Sequence, residues 1–261
     1  MGKLAGSGGH NSIVQGANSI YGKEHVEDRR FLDAVAKYVQ VAGWKYVNCS
    51  DEVGTTQTAV WSNAANNHLR VKDSTVDTQF HLNATPGGTG CEVWLHPEYG
   101  DRKLAAAISK AMANAFGLKD RGIKFSTELG WINKTKTGLL PEICFIDNET
   151  DMQKYRANFD KAAKAVAEVI VGKTIQSSVN NEGVAISMNK FNKVVTYEFG
   201  TALVPEMLGM MDALGYESRI ISGGDKQGLV RYETNYRQGN ELDRATAWLD
   251  AKGLKYFYTK E

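Results

Sequence analysis

The sequence predicts an α/β domain followed by a small α+β domain. Over residues 1–175, segments with the two-residue periodicity of strands alternate with segments whose apolar residues recur at helical spacing. Such alternation is typical of a sheet layered with helices. A polar stretch at 176–190 precedes residues 191–261, where the order of patterns is β-α-β-β-α-β, the ferredoxin-like arrangement. We therefore predict two domains, 1–175 and 191–261, joined by a linker at 176–190.

The elements of the first domain follow from local patterns. Helix 24–41 carries Phe31, Val35 and Val39 on one face, and Gly43 ends it. Strand 139–146 is mostly apolar and therefore buried, despite Pro141. The predicted strands are residues 3–6, 44–49, 76–82, 91–95 and 139–146. The predicted helices are residues 24–41, 60–71, 104–116 and 152–171.

The second domain has shorter elements. Its predicted strands are residues 193–198, 218–222, 228–235 and 254–258. Its predicted helices are residues 205–214 and 241–252. The pair Gly223-Gly224 predicts a turn between the two central strands.

Composition excludes several classes of protein. The 261 residues include 31 basic and 30 acidic ones, so there is no positive field to attract nucleic acid, and a neutral glycan or peptide is the better partner. Three widely spaced cysteines without a C-x-x-C pair indicate buried thiols rather than a disulfide framework. No apolar run reaches the roughly 18 residues that membrane insertion needs. The N-terminus lacks the apolar region of a signal peptide, so we expect the protein in the cytoplasm unless another route releases it.

Four scattered residues predict a metal-dependent hydrolase. His10 follows the first strand, Glu24 opens the first helix, and His81 ends a later strand. Strand ends and loops of this kind gather at one edge of an open α/β sheet. Two imidazoles and one carboxylate are the ligands of a catalytic zinc that keeps a fourth position open. Glu142, an acid inside an apolar strand, is suited to accept a proton from water and pass it to a leaving nitrogen.

Taken in order, these residues resemble a known family. The pattern of His10, Gly16-Ala17, Glu24, His81-Leu82-Asn83-Ala84 and Glu142 ahead of Phe145 is similar to that of the type 3 N-acetylmuramoyl-L-alanine amidases. The resemblance covers roughly residues 4–172. It implies a central, mostly parallel or mixed sheet flanked by helices. It also implies one Zn²⁺ per catalytic domain, with His10, Glu24 and His81 as ligands and Glu142 as the catalytic acid/base.

Two assignments have alternatives. Glu27 competes with Glu24, since both lie on one face of the same helix; we prefer Glu24 because it stands at the helix start. Asn83 either contacts substrate or caps a turn. The remaining histidines, His25, His68 and His96, are predicted at the surface.

The second domain resembles a wall-binding module. Its element order, with residues 230–232 ahead of a helix that contains Ala245, is similar to the SPOR domain, which binds bare peptidoglycan glycan. The aromatic residues on its strands either stack on sugar rings, or half of them belong to a hydrophobic core, since strand residues alternate faces. RNA-recognition sheets share the architecture, but the aromatic-rich motif and basic excess are missing. Self-association through this domain is a further candidate property.

The resemblances imply a phage or prophage endolysin. Such an enzyme hydrolyses the amide between N-acetylmuramic acid and L-alanine of bacterial peptidoglycan and lyses the cell. One alternative keeps the zinc and cuts a stem or cross-bridge peptide instead. Another is a wall-binding module without catalysis, which the intact set of four residues disfavours.

Overall fold

The chain divides into two compact units, residues 1–179 and 180–261. The structure, a computed structural model, describes residues 2–175, 192–214, 217–222, 228–237 and 242–260. The predicted linker at 176–190 and the predicted turn at Gly223-Gly224 lie outside the described residues. Within these ranges, no helix combines the length and apolar character that crossing a membrane requires.

A six-stranded sheet forms the centre of the first unit. In spatial order its strands are β4 (Lys45–Asn48), β1 (Lys3–Gly8), β5 (Val76–Asn83), β8 (Leu139–Phe145), β6 (Cys91–Leu95) and β7 (Asp120–Phe125). Every neighbouring pair is parallel except β6 and β8, which are antiparallel. The predicted mostly parallel, mixed sheet is therefore confirmed. A two-residue hairpin of β2 (Asn18–Ser19) and β3 (Gly22–Lys23) lies in the loop after β1.

Helices cover both faces of this sheet. They are α1 (Glu24–Val41), α2 (Gln57–Arg70), α3 (Arg102–Phe116), α4 (Gly130–Thr135), α5 (Glu149–Ala157) and α6 (Phe159–Val171). Helices α1 and α3 each pack against α6 over the main core, which includes Leu139. Helices α2 and α4 pack together over a smaller core that includes Leu140. Because successive strand residues point to opposite faces, these two neighbours show that the sheet lies between two helical layers.

The structure departs from the predicted elements of the first unit at Asn158, at an edge strand and at a short helix. The single helix predicted at 152–171 is two helices, since Asn158 leaves helical geometry at φ −121° and ψ 18° and joins α5 to α6. Its side chain and its backbone amide both donate to the Lys154 carbonyl, which caps the end of α5. Strand β7 and helix α4 were not predicted. Strand β7 lies at the sheet edge and carries charges rather than an apolar alternation, which is common at edges.

The second unit confirms the predicted β-α-β-β-α-β order, with one additional two-residue strand before its first helix. Its strands are β9 (Asn192–Thr196), β10 (Phe199–Gly200), β11 (Ser218–Ser222), β12 (Leu229–Thr234) and β13 (Tyr256–Lys260), and its helices are α7 (Val204–Leu214) and α8 (Asp243–Ala251). All described pairs are antiparallel, in the order β13, β9, β12, β11, and β10 pairs with β12. The core includes Val194, Tyr232 and Leu249. Several aromatics are exposed instead, namely Tyr197, Tyr236, Phe257 and Tyr258.

Candidate metal centre

Neighbouring elements bring His10, Glu24 and His81 together. His10 follows β1, His81 lies on the adjacent parallel strand β5, and Glu24 is the first residue of α1. Each offers one ligand atom, and the three atoms lie within 4.8 Å of one another. Nδ1 of His81 is 2.9 Å from Glu24 Oε1, and Nε2 of His10 is 3.5 Å from Glu24 Oε2. The two imidazole rings meet edge to face, with centroids 5.2 Å apart.

The backbone holds the Glu24 carboxylate in place. Its Oε2 accepts a hydrogen bond from the amide of Ala17 at 2.7 Å, and its Oε1 accepts one from the amide of Leu82 at 3.2 Å. Burial raises the pKa of Glu24, but the hydrogen bond and charge of His81 outweigh it and leave the pKa below its usual value. Glu24 is therefore an ionised carboxylate, as a metal ligand must be.

The two histidines also fit a metal ion. Burial lowers the pKa of His81, yet the hydrogen bond and charge of Glu24 raise it to about 9, so a metal ion that binds there must displace a proton from this imidazole. Burial and the neighbouring His81 lower the pKa of His10, which favours its neutral, ligating form. Nδ1 of His10 is buried without a hydrogen-bond partner among the described residues. Two imidazole nitrogens and one carboxylate oxygen form a donor set that suits Zn²⁺.

Two glycines leave room for the three side chains. A Cβ on Gly9 would overlap the His81 ring, and a Cβ on Gly16 would overlap Glu24 Oε2 and the His10 ring. Gly16 also has φ +69°, a left-handed conformation that other residues adopt at a cost. The close approach of backbone to these rings thus depends on residues without a side chain.

Polar contacts fix the loop that carries His10. Asp28 Oδ2 accepts hydrogen bonds from the amides of Gly9 at 2.9 Å and His10 at 3.3 Å. The buried Asn11 side chain donates to Asp51 Oδ2 at 2.8 Å. Arg29 Nη2 donates to the His10 carbonyl at 2.6 Å. The loop is therefore held from both α1 and the segment after β4.

Glu27 lies away from the three candidate ligands. Its Oε2 accepts hydrogen bonds from Arg30 at 3.0 Å and from the hydroxyl of Tyr155 at 3.2 Å. Of the two carboxylates that the sequence leaves in competition, the structure brings only Glu24 to the histidines.

Glu142 lies beside the metal centre on β8. It pairs with His81 across the parallel strands. Its Oε2 is buried without a hydrogen-bond partner in the described part of the chain. Burial raises the pKa of Glu142 to about 7; His81 lowers it, while the carboxylates of Glu24 and Glu92 raise it. A carboxyl group with a pKa near neutrality can both accept and release a proton.

An open cleft of about 610 Å³ leads to Glu142. Asn83, Trp94, Phe125 and the segment 126–129 form its other walls. Asn83 donates to Glu92 Oε1 at 3.3 Å, and its Oδ1 accepts from the Thr85 hydroxyl at 3.4 Å. Its place on the cleft wall allows a contact with substrate.

Glu92 is a site residue that the sequence interpretation missed. It faces Glu142 across the antiparallel pair β6 and β8 and is fully buried. Its Oε1 also accepts from the Trp94 indole at 3.1 Å, and its Oε2 accepts from Arg121 Nε at 2.7 Å. One buried carboxylate thus holds two residues of the cleft wall, Asn83 and Trp94. The signal was available, since Glu92 is an acid inside an apolar strand, as Glu142 is.

The prediction that His68 and His96 lie at the surface was wrong. His68 is 2% exposed and His96 is 5% exposed. His68 is paired with Ser7 and Asp77, and His96 packs against the ring of Tyr99. These contacts come from tertiary structure, which stabilises a buried polar ring by satisfying its nitrogens. His25 is partly exposed.

Two family models match the chain. One is described as N-acetylmuramoyl-L-alanine amidase and matches residues 5–171. The other is described as PlyG cell wall binding domain and matches residues 213–258. The second names the PlyG type of wall-binding domain in place of the SPOR type that the element order resembles.

One known protein matches part of the chain. The N-acetylmuramoyl-L-alanine amidase CwlA from Bacillus sp is 91% identical over 78 residues, which make up 30% of this chain and 31% of that protein. The match therefore spans less than a third of that relative's length.

Solved structures share the fold of the first unit. The catalytic domain of the CD27L endolysin targeting Clostridia difficile has a TM-score of 0.57 at 22% identity, covering 67% of this chain and 100% of that one. An N-acetylmuramoyl-L-alanine amidase structure from Neisseria meningitidis has a TM-score of 0.55 at 21% identity, covering 66% of this chain and 94% of that one.

Proposed function

The chain belongs to the N-acetylmuramoyl-L-alanine amidase family, and we propose that it is a zinc-dependent hydrolase of bacterial peptidoglycan. The bond it cleaves is the amide between N-acetylmuramic acid and the L-alanine of the stem peptide. The observation that carries the proposal is the convergence of His10, Glu24 and His81, with Glu142 on the neighbouring strand.

The three converging side chains are the zinc ligands. A zinc ion held there supplies a Lewis acid that lowers the pKa of water to about 7 and polarises the scissile carbonyl. Glu24 contributes the negative charge that holds the cation, and its backbone hydrogen bonds fix its direction. The neutral form of His10 leaves a nitrogen lone pair available for the metal.

Glu142 moves the proton in this reaction. Its unpartnered Oε2 is the atom that takes a proton from the attacking water and delivers it to the departing L-alanine nitrogen. Burial keeps the pKa of Glu142 high enough for the second step, and a bound cation favours the charged form that the first step needs.

The cleft beside Glu142 is the substrate site. Asn83 can donate to or accept from the glycopeptide, while Trp94 and Phe125 provide apolar surface. Glu92 holds Asn83 and Trp94 in position for this contact.

The second unit is the wall-binding part of a lytic, endolysin-like enzyme. Its match to a cell wall binding domain supports binding to peptidoglycan or its attached polymers. Attachment raises the local concentration of the catalytic unit at its insoluble substrate. Residence in the host cytoplasm until release to the wall, and self-association through the second unit, belong to this proposal as predictions from the sequence.

Product analysis tests the proposed bond. Purified peptidoglycan is digested with the full-length protein, and new amino termini and new reducing ends are identified. The proposal expects new L-alanine amino termini with no new reducing ends, because the glycan strands stay intact. New termini from another stem or cross-bridge residue would make the protein a peptidase, and walls left undigested by zinc-loaded protein would contradict catalysis.

A further inference from the structure

A series of buried and partly buried hydrogen bonds leads from Asp77 to the candidate ligand His81. Asp77 Oδ1 is 2.8 Å from His68 Nδ1, and His68 Nε2 is 3.0 Å from Ser7 Oγ. Gln79 Nε2 is 3.3 Å from the same Ser7 oxygen, and Gln79 Oε1 is 3.2 Å from His81 Nε2. We call these five residues the Asp77–His81 relay. Ser7, His68 and Gln79 are all buried.

Asp77, at the end of the relay away from the metal centre, determines which group donates and which accepts in each hydrogen bond. The Asp77 carboxylate only accepts hydrogen bonds, so His68 donates from Nδ1. His68 Nε2 is then the acceptor for the Ser7 hydroxyl hydrogen, because the Gln79 amide nitrogen on the other side of Ser7 only donates. Ser7 therefore donates its single hydrogen to His68 and accepts from the Gln79 amide. This turns Gln79 Oε1 toward His81, whose Nε2 must carry the hydrogen. The hydroxyl of Ser74 also donates to Asp77 Oδ2, at 2.7 Å.

The other nitrogen of His81, Nδ1, faces Glu24 and is the one that gives up its proton when a metal ion binds there. It is Nδ1 that lies 2.9 Å from Glu24 Oε1, on the side of the candidate metal centre. We propose that the Asp77–His81 relay fixes the tautomer of His81, so that Nε2 carries the hydrogen and Nδ1 binds the metal. Asp77, His68, Ser7 and Gln79 are positioning residues in this inference, which rests on the proposed zinc site.

The relay is not a second catalytic site. Asp77, His68 and Ser7 have the order of a nucleophilic triad. However, Ser7 is 0% exposed, and its oxygen is already shared between His68 and Gln79. No substrate can reach a hydroxyl enclosed in this way. Its orienting effect on His81 is the role that the contacts support, and such outer partners of metal ligands strongly affect affinity.

Nuclear magnetic resonance tests the inference on the unmodified protein. Long-range ¹H–¹⁵N spectra of the zinc-loaded, full-length chain distinguish a histidine that binds through Nδ1 from one that binds through Nε2. The relay predicts that His81 binds zinc through Nδ1 and carries its hydrogen on Nε2. Binding through Nε2 would overturn the inference whatever the variants do.

The second measurement is the zinc affinity of variants, which is determined by competition with a chromophoric chelator. Gln79→Leu removes the acceptor for His81 and is expected to weaken zinc binding by about 10- to 100-fold. Ser7→Ala frees the Gln79 amide to turn and is expected to weaken binding by about 10-fold, the low end of that range. Gln79→Glu keeps an accepting oxygen toward His81 and is expected to retain Nδ1 coordination.

Thr78→Val is the matched control. Thr78 lies next to Gln79 on β5, and its buried hydroxyl has no hydrogen-bond partner among the described residues. This variant should therefore bind zinc as the unmodified protein does. Unchanged zinc affinity in both folded variants, Ser7→Ala and Gln79→Leu, would refute the relay while leaving the proposed amidase intact. A full-length protein that binds no zinc at all would refute the proposed function itself.

Discussion

At the scale of single residues, Glu24 and Glu27 are three positions apart yet have different partners. Glu24 contacts the two histidines, and Glu27 contacts Arg30 and Tyr155. Glu24→Ala should therefore lose bound zinc, because it removes the only charged ligand of the proposed set, whereas Glu27→Ala should keep one zinc per chain. Elemental analysis after dialysis measures this. Zinc retained by Glu24→Ala but lost by Glu27→Ala would show that the wrong carboxylate was assigned.

Glu142→Gln separates catalysis from metal binding. The amide has the size of the carboxyl group but cannot take up and release the proton, so cleavage of peptidoglycan should fall by at least about 10²- to 10⁴-fold. Zinc content should not change, since Glu142 is not among the three converging ligands. Release of L-alanine amino termini gives the rate, and near-normal activity in this variant would remove Glu142 from the mechanism.

Residue roles were predictable where one residue was locally anomalous. Glu142 could be selected because an acid in an apolar strand needs a reason, and the same logic would have found Glu92. The buried position of His68 could not be predicted, because its partner Ser7 is 61 positions away and nothing in helix α2 indicates that contact. A hydrogen-bond partner so distant along the chain can be identified only from the three-dimensional structure.

At the scale of elements, the loop between β1 and α1 depends on Gly16. Gly16→Ala should destabilise the protein by about 1–2 kcal/mol because of the left-handed backbone. It should also lose zinc, since the added Cβ would overlap Glu24 and His10. Thermal unfolding and zinc content are measured together.

Gly43→Ala is the matched control for this loop. Gly43 has φ +87° with no atom within 4 Å of an added Cβ, so the backbone cost is similar while the metal centre is untouched. Equal zinc content in the Gly16→Ala and Gly43→Ala variants would show that the overlap at Gly16 is tolerated.

Element prediction succeeded where periodicity and end signals agreed. Helix α1 begins and ends where its apolar spacing and Gly43 place it. It failed at Asn158, which divides an otherwise continuous Ala- and Lys-rich pattern, and at the short helix α4. Whether a helix breaks or forms at such a place depends on a local hydrogen bond or a packing contact, and neither produces a periodic pattern in the sequence.

At the scale of the whole molecule, the two units have separate hydrophobic cores. The main core of the first unit and the core of the second share no residue. A chain shortened to residues 1–175 should therefore fold, bind zinc and cleave a soluble muropeptide at the normal rate. Its cleavage of intact walls should fall by about 10²-fold or more, since the shortened chain lacks the unit that binds it to the wall.

Wall turbidity and soluble-substrate assays on the same preparations check this division of roles. Full activity of the shortened chain on intact walls would contradict the role of the second unit. Loss of activity on the soluble substrate would show instead that the catalytic unit needs residues beyond 175.

The central claim is that one zinc ion is shared by His10, Glu24 and His81. Anomalous diffraction at the zinc edge from crystals of the zinc-loaded, full-length chain tests it most directly. The account predicts one peak bonded at about 2.0–2.2 Å to a nitrogen of each histidine and to an oxygen of Glu24. Zinc bound at other residues, or His10 and His81 too far apart to share the ion, would contradict it.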